Sequence, residues 1–200
     1  MYFEDLNRRG RIHLGRLLLQ SRYWKVIKDT LEILNGYRDP LPMSLLAELC
    51  QHPNLLVRCA AVAGYGSYTT ESARKKLLKH LASEKDELVW IDGMITLIEG
   101  WLDSAIEYAT ECTQQPWYRR RPRDQYDGYR YDPCLGLRAS LLCDNLLRLT
   151  VRTGESDAEG SGDETDPEIF RDANLESWIV DSIAEYRRRT AANGPGEPPG

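Results

Sequence analysis

The chain has 200 residues, 42% of them hydrophobic and 28% charged, with a formal net charge of -5. That length and balance suffice for one buried core without metals or disulfide staples, and no segment approaches the ~20 apolar residues of a membrane span. The net charge is an average over unlike parts: residues 1 to 153 carry 22 basic and 19 acidic side chains, whereas Glu155, Asp157, Glu159, Asp163, Glu164, Asp166 and Glu168 stand together with no basic residue among them.

The N-terminus, MYFEDLNRRGRIHLGRLLLQ, is charged throughout, and its apolar run Leu17, Leu18, Leu19 is too short for the core of a signal peptide, so a cytoplasmic protein is expected. Leu6, Ile12, Leu14, Leu17 and Leu18 predict one or two helices. Next, Trp24, Ile27, Leu31 and Leu34 recur at i, i+3, i+7 and i+10, which predicts an amphipathic helix closed by Asn35-Gly36. Residues 1–40 are expected to form N-terminal capping helices.

Residues 41–152 contain an internal repeat. HPNLLVRCAAVAG (52–64) aligns with DPCLGLRASLLCD (132–144) at an offset of 80, matching Pro53 with Pro133, Leu55 with Leu135, Val57 with Leu137 and Arg58 with Arg138. A shift of 32 brings in a third copy, placing Val57 on Val89 and Ala61 on Gly93. Each unit reads as two helices. The first is amphipathic, as with Ala73, Leu77, Leu78 and Leu81 behind a Thr70 N-cap; the second is apolar nearly all round and rich in small residues, as an interior helix must be.

The stretch VRCAAVAGYG (57–66) resembles the HEAT repeats, particularly the short bacterial kind named after phycobilisome lyases, whose second helix opens with Val-Arg and runs through alanines to a glycine. The likeness covers roughly residues 41–150 and implies an all-α fold, a right-handed α-solenoid of HEAT-like antiparallel helix pairs. In that family an aspartate just ahead of the Val-Arg pair bonds the arginine and ties neighbouring units into a ladder. Here the middle unit has Asp86 but Trp90 where arginine belongs, and the first has Asn54 where aspartate would sit.

From Val89 to Leu137 the spacing exceeds the repeat by about half a unit, and the surplus is PWYRRRPRDQYDGYRYDP (116–133), an insertion whose Pro, Gly and Asp content predicts a loop. Arg119, Arg120, Arg121, Arg123 and Arg130 are offset by Asp124, Asp127 and Asp132, which leaves a local charge of +2 rather than the strong field of a phosphate binder. Tyrosine and tryptophan beside arginine is also the composition of a protein hot spot. The candidate partner-binding residues are therefore Trp117, Tyr118, Arg119, Arg120, Arg121, Arg123, Tyr126, Tyr129, Arg130, Tyr131 and, on the stack, Trp90, with packing of the loop on its own body as the competing reading. Downstream, residues 153–167 predict an acidic flexible linker, 168–190 an amphipathic helix through Leu175, Trp178, Ile179 and Ile183, and 191–200 a disordered tail.

Catalytic motifs are not evident. His13, His52 and His80 stand at no recognised spacing from a nucleophile, and the five cysteines contain no CxxC pair, so buried free thiols are expected, with no metal and no cofactor. The expected function is a non-enzymatic scaffold or regulatory adaptor that binds a protein. The alternatives are a nucleic-acid-binding HEAT-like protein, including a DNA glycosylase-like enzyme, and a chromophore lyase-like protein.

Overall fold

The computed structural model describes residues 6–119, 137–154 and 173–193. Those residues form α-helices α1 (Arg8–Leu18), α2 (Trp24–Gly36), α3 (Met43–Leu49), α4 (Leu55–Ala63), α5 (Glu71–Ser83), α6 (Glu87–Gly100), α7 (Leu102–Cys112), α8 (Pro116–Arg119), α9 (Leu137–Gly154) and α10 (Ala173–Asn193). A 3-10 turn, Gly64–Ser67, extends α4, and no strand occurs among the described residues.

Local chemistry fixes the helix starts. Asn7, Asn54, Thr70 and Asp86 each stand just ahead of a helix, and each side-chain oxygen accepts a backbone N–H of the first turn: Gly10 at 2.9 Å, Leu56 at 3.0 Å, Ala73 at 3.3 Å and Leu88 at 3.1 Å. Asn54 therefore caps α4 from the position where an aspartate was sought. The end of α2 falls where the sequence placed it. Gly36 is its last helical residue, and the left-handed position two residues later is taken by Arg38, at φ 50°. Asp39 N bonds Leu34 O at 2.9 Å and Arg38 N bonds Asn35 O at 2.9 Å, the paired closure that satisfies the last carbonyls of a helix. A further bond network holds this reversal: the buried Asp39 carboxylate accepts Arg11 Nε at 2.6 Å, and the Arg11 guanidinium lies 4.2 Å over the Tyr37 ring.

Packing follows the apolar pattern. Helices α2, α4, α6 and α9 form a continuous row, each against the next, backed by α1 on α2, α3 on α4, α5 on α6, and α7 on both α6 and α9. Helix α6 is the hub. Its apolar circumference buries Val89, Trp90, Met94, Thr96, Leu97 and Ile98 against neighbours on all sides. Val57 and Val89, which the repeat register equates, are both wholly buried; Leu137 opens α9, but its side chain lies outside the described residues. A Cβ on Gly93 would stand 2.5 Å from Leu81 Cδ2 and 3.0 Å from Val62 Cγ1, so α4, α5 and α6 approach closely there and a side chain at 93 would have to displace the Leu81 methyl.

Helix α9 runs through Gly154, so it takes in the first two residues of the predicted linker, and α10 continues to Asn193, three residues beyond the predicted helix end at 190. The hydroxyl of Thr190 bonds Tyr186 O at 3.1 Å, on the last turns of α10. Helix α10 packs on α6 and α9, burying Ile179 and Ile183; Arg148 Nη2 meets Glu176 Oε1 at 2.6 Å, and Tyr186 donates to Asp103 Oδ2 at 3.1 Å. The remaining residues of the predicted linker (155–167) and of the tail (194–200) lie outside the described residues.

Candidate functional site

The candidate residues that can be placed converge where α6, α7, α8 and α9 meet. Pro116 opens α8, where a residue without an N–H costs no helical bond, so the insertion predicted as loop begins with one helical turn. That turn carries Trp117 and Tyr118 onto the core. The Trp117 ring meets the Trp90 ring edge-on, with centroids 5.8 Å apart at 72°, and meets Tyr118 at 5.9 Å and 70°. Tyr108, one turn before the end of α7, completes the cluster with its ring 6.2 Å from Trp90. Edge-to-face aromatic pairs of this kind add about 0.5–1.5 kcal/mol beyond the area they bury.

Tyr118 is fixed a second time, since its hydroxyl donates to Asp144 Oδ1 on α9. The start of the insertion is thus bound to two helices at once. Trp90, expected at the partner surface, is instead wholly buried and acts as the floor on which Trp117 rests. Arg119 ends α8, but its side chain lies outside the described residues, as do Arg120, Arg121, Arg123, Tyr126, Tyr129, Arg130 and Tyr131.

Two concavities flank the turn between α5 and α6. One, of about 860 Å³, runs from Leu81 and Lys85 to Tyr108, Cys112 and Trp117, with an aromatic wall and a polar rim. The other, of about 290 Å³, is lined by Cys50, His52, Arg58, His80 and Glu84. Arg58 bridges four groups around it: Nη1 donates to His52 O at 3.1 Å and Pro53 O at 3.4 Å, Nη2 reaches Asp86 Oδ2 at 3.4 Å, and Nε lies 3.8 Å from Glu84 Oε2. Burial alone would push the Glu84 carboxyl up, but His80 and the N–H groups of Asp86 and Lys85 outweigh it and hold the pKa at about 2. The Cys50 thiol beside it is pushed up to about 12, first by burial and then by the Glu84 charge. With Arg58 paired to Glu84 and Asp86, this pocket is a brace. Arg138, which aligns with Arg58, is exposed on α9 and makes no such bridge to a described residue.

Sequence reasoning missed Tyr108, Asp144, Glu84 and His80. Tyr108 and Cys112 do stand at i and i+4 on one helix face, and His80 and Glu84 share that spacing, but no motif marks which faces meet. The described cysteines Cys50, Cys59, Cys112 and Cys143 are all free, three of them buried. Among the described residues no His, Cys, Asp and Glu group is arranged to hold a metal ion, and no helix is long and apolar enough to cross a membrane. Neither a family model, nor a curated protein, nor a solved structure matches the chain.

Proposed function

We propose that the protein is a non-enzymatic, cytoplasmic scaffold or regulatory adaptor. In this reading the helix row is a short HEAT-like solenoid and the Arg/Tyr segment that follows Trp117 and Tyr118 grips a protein partner. One observation carries the proposal: the root of that segment is clamped to two helices, by Trp117 on Trp90 and by Tyr118 on Asp144. A contact segment held at a rigid root loses less freedom on binding than one hung from a mobile stem. The Arg58 and Asp86 contact supports the solenoid half of the reading, because it joins one repeat to the next in the manner of the family's ladder.

The test is a pull-down with wild type and a variant lacking residues 120–136, alongside duplex DNA and RNA titrations at two salt concentrations. Loss of specific protein partners on deletion is the expected result. An unchanged partner set refutes the segment as a binding element. Tight duplex binding that weakens steeply with salt and vanishes on deletion would install the nucleic-acid reading instead.

A further inference from the structure

The 860 Å³ groove opens between the ends of α5 and α7. Arg74 Nη1 donates to Ser104 Oγ at 2.5 Å and pins the starts of the same two helices, so the opening lies at their far ends. Its volume falls in the range of sites that take a ligand or a side chain of a partner. Lys85 stands on one side, in the turn after α5; on the other, Tyr108, Glu111 and Cys112 follow at i, i+3 and i+4 and so share one face of α7. Trp117 of α8 completes the lining.

The half-buried Tyr108 and Trp117 rings are held in place before any ligand arrives, because both pack on the buried Trp90, with centroids 6.2 and 5.8 Å from it. Tryptophan and tyrosine are the electron-rich rings whose faces attract a cation. Charge points the same way. Two carboxylates, Glu84 and Glu111, and one ammonium, Lys85, line the groove. Arg58 and His80 lie against Glu84, at 3.8 and 3.2 Å, whereas the exposed Glu111 pairs with no described residue. An anion entering here would meet two carboxylates and the negative faces of two rings, offset by one flexible lysine whose head can turn to water.

We propose that this groove receives an arginine side chain of a partner protein, its guanidinium stacked on the Trp117 and Tyr108 wall and hydrogen-bonded to Glu111. The inference rests on the protein-binding reading above but does not require the Arg/Tyr segment to touch the partner. Arginine suits the site better than lysine, because a planar guanidinium stacks on a ring and bonds a carboxylate at once, whereas an ammonium is a strongly hydrated point charge.

The experiment titrates the full chain with the blocked tripeptide acetyl-Gly-Arg-Gly-amide and with its lysine and glutamate counterparts, following the tryptophan indole N–H signals by NMR. Loss of one signal in Trp117→Phe assigns the reporter. The arginine peptide should shift that signal saturably, the lysine peptide should bind more weakly, and the glutamate peptide should leave it in place. Glu111→Gln, an exposed and nearly isosteric change, should weaken binding about threefold, and Tyr108→Leu by about the same factor. An unmoved Trp117 signal, an equal response to the glutamate peptide, or a Glu111→Gln titration identical to that of wild type overturns the proposal. Tighter binding in a chain with Arg120, Arg121, Arg123 and Arg130 changed to serine would give the groove to the chain's own arginines and overturn it as well.

Discussion

Arg58 Nη2 and Asp86 Oδ2 lie 3.4 Å apart across 28 residues of sequence, and the same Asp86 caps α6 through Leu88 N. One carboxylate thus starts α6 and ties it to α4. The two roles are separable, because asparagine caps a helix about as well as aspartate but cannot pair with a guanidinium. Asp86→Asn should cost less than Asp86→Ala by about 1 kcal/mol in urea unfolding. Arg58→Met should cost roughly 2 kcal/mol, since it leaves Glu84 and Asp86 without their cation in a half-buried site. A cycle of Arg58→Met with Asp86→Asn should show coupling of about 0.5–1 kcal/mol; strict additivity would mean that the contact carries no energy.

Arg38 offers a change of the opposite sign. A side chain at φ 50° pays about 1–2 kcal/mol that glycine does not, and glycine returns part of it as extra freedom in the unfolded chain. Arg38→Gly should therefore stabilise by about 0.5 kcal/mol net, while a β-branched Arg38→Val should destabilise. Thermal melts read both. Equal effects of glycine and valine would show that the left-handed closure of α2 does not matter to stability.

Glu84 sets an acid limb. With its folded pKa held at about 2 and an ordinary carboxyl near 4.5, its contribution is complete above the unfolded value and is lost as pH falls toward the folded one. Stability should drop between about pH 4.5 and 2, by roughly 1–3 kcal/mol from this side chain. The groups that face it are His80, Arg58, Cys50 and the N–H groups of Lys85 and Asp86. Glu84→Gln should be less stable at pH 7 and lose less on acidification than wild type. Parallel pH profiles for the two proteins would remove Glu84 as the cause.

Helix content was legible wherever one side chain decides one step. The Thr70 cap, the Ala73, Leu77 and Leu81 stripe, and the small residue that Ala61 and Gly93 share in register all follow from local rules, and the structure places each as those rules require. The site was legible only at its root. Trp117 and Tyr118 were readable as large contact residues, but that Trp90 would lie under them depends on how α6 meets α8, which no local pattern encodes. Asn35-Gly36 marked the end of α2, while the left-handed position at Arg38, beside the buried Asp39 and its arginine, was not legible.

Helix α10 is the last element whose seat can be measured. Its fully buried apolar side chains are Ile179 and Ile183, flanked by the half-buried Trp178 and Tyr186 against the same core, while Val180 is 37% exposed. If that seat is occupied in solution, Ile183→Ala removes buried methyl groups and should cost about 2–4 kcal/mol, and Val180→Ala should cost under about 0.5 kcal/mol. Tyr186→Phe, which deletes only the bond to Asp103, should cost about 0.5–1 kcal/mol. Deleting residues 173–200 should then lower the melting temperature and speed amide exchange in α6 and α9, whose covered faces would meet water. A silent Ile183→Ala, with exchange in α6 and α9 unchanged by the deletion, would show that α10 stands off the helix row.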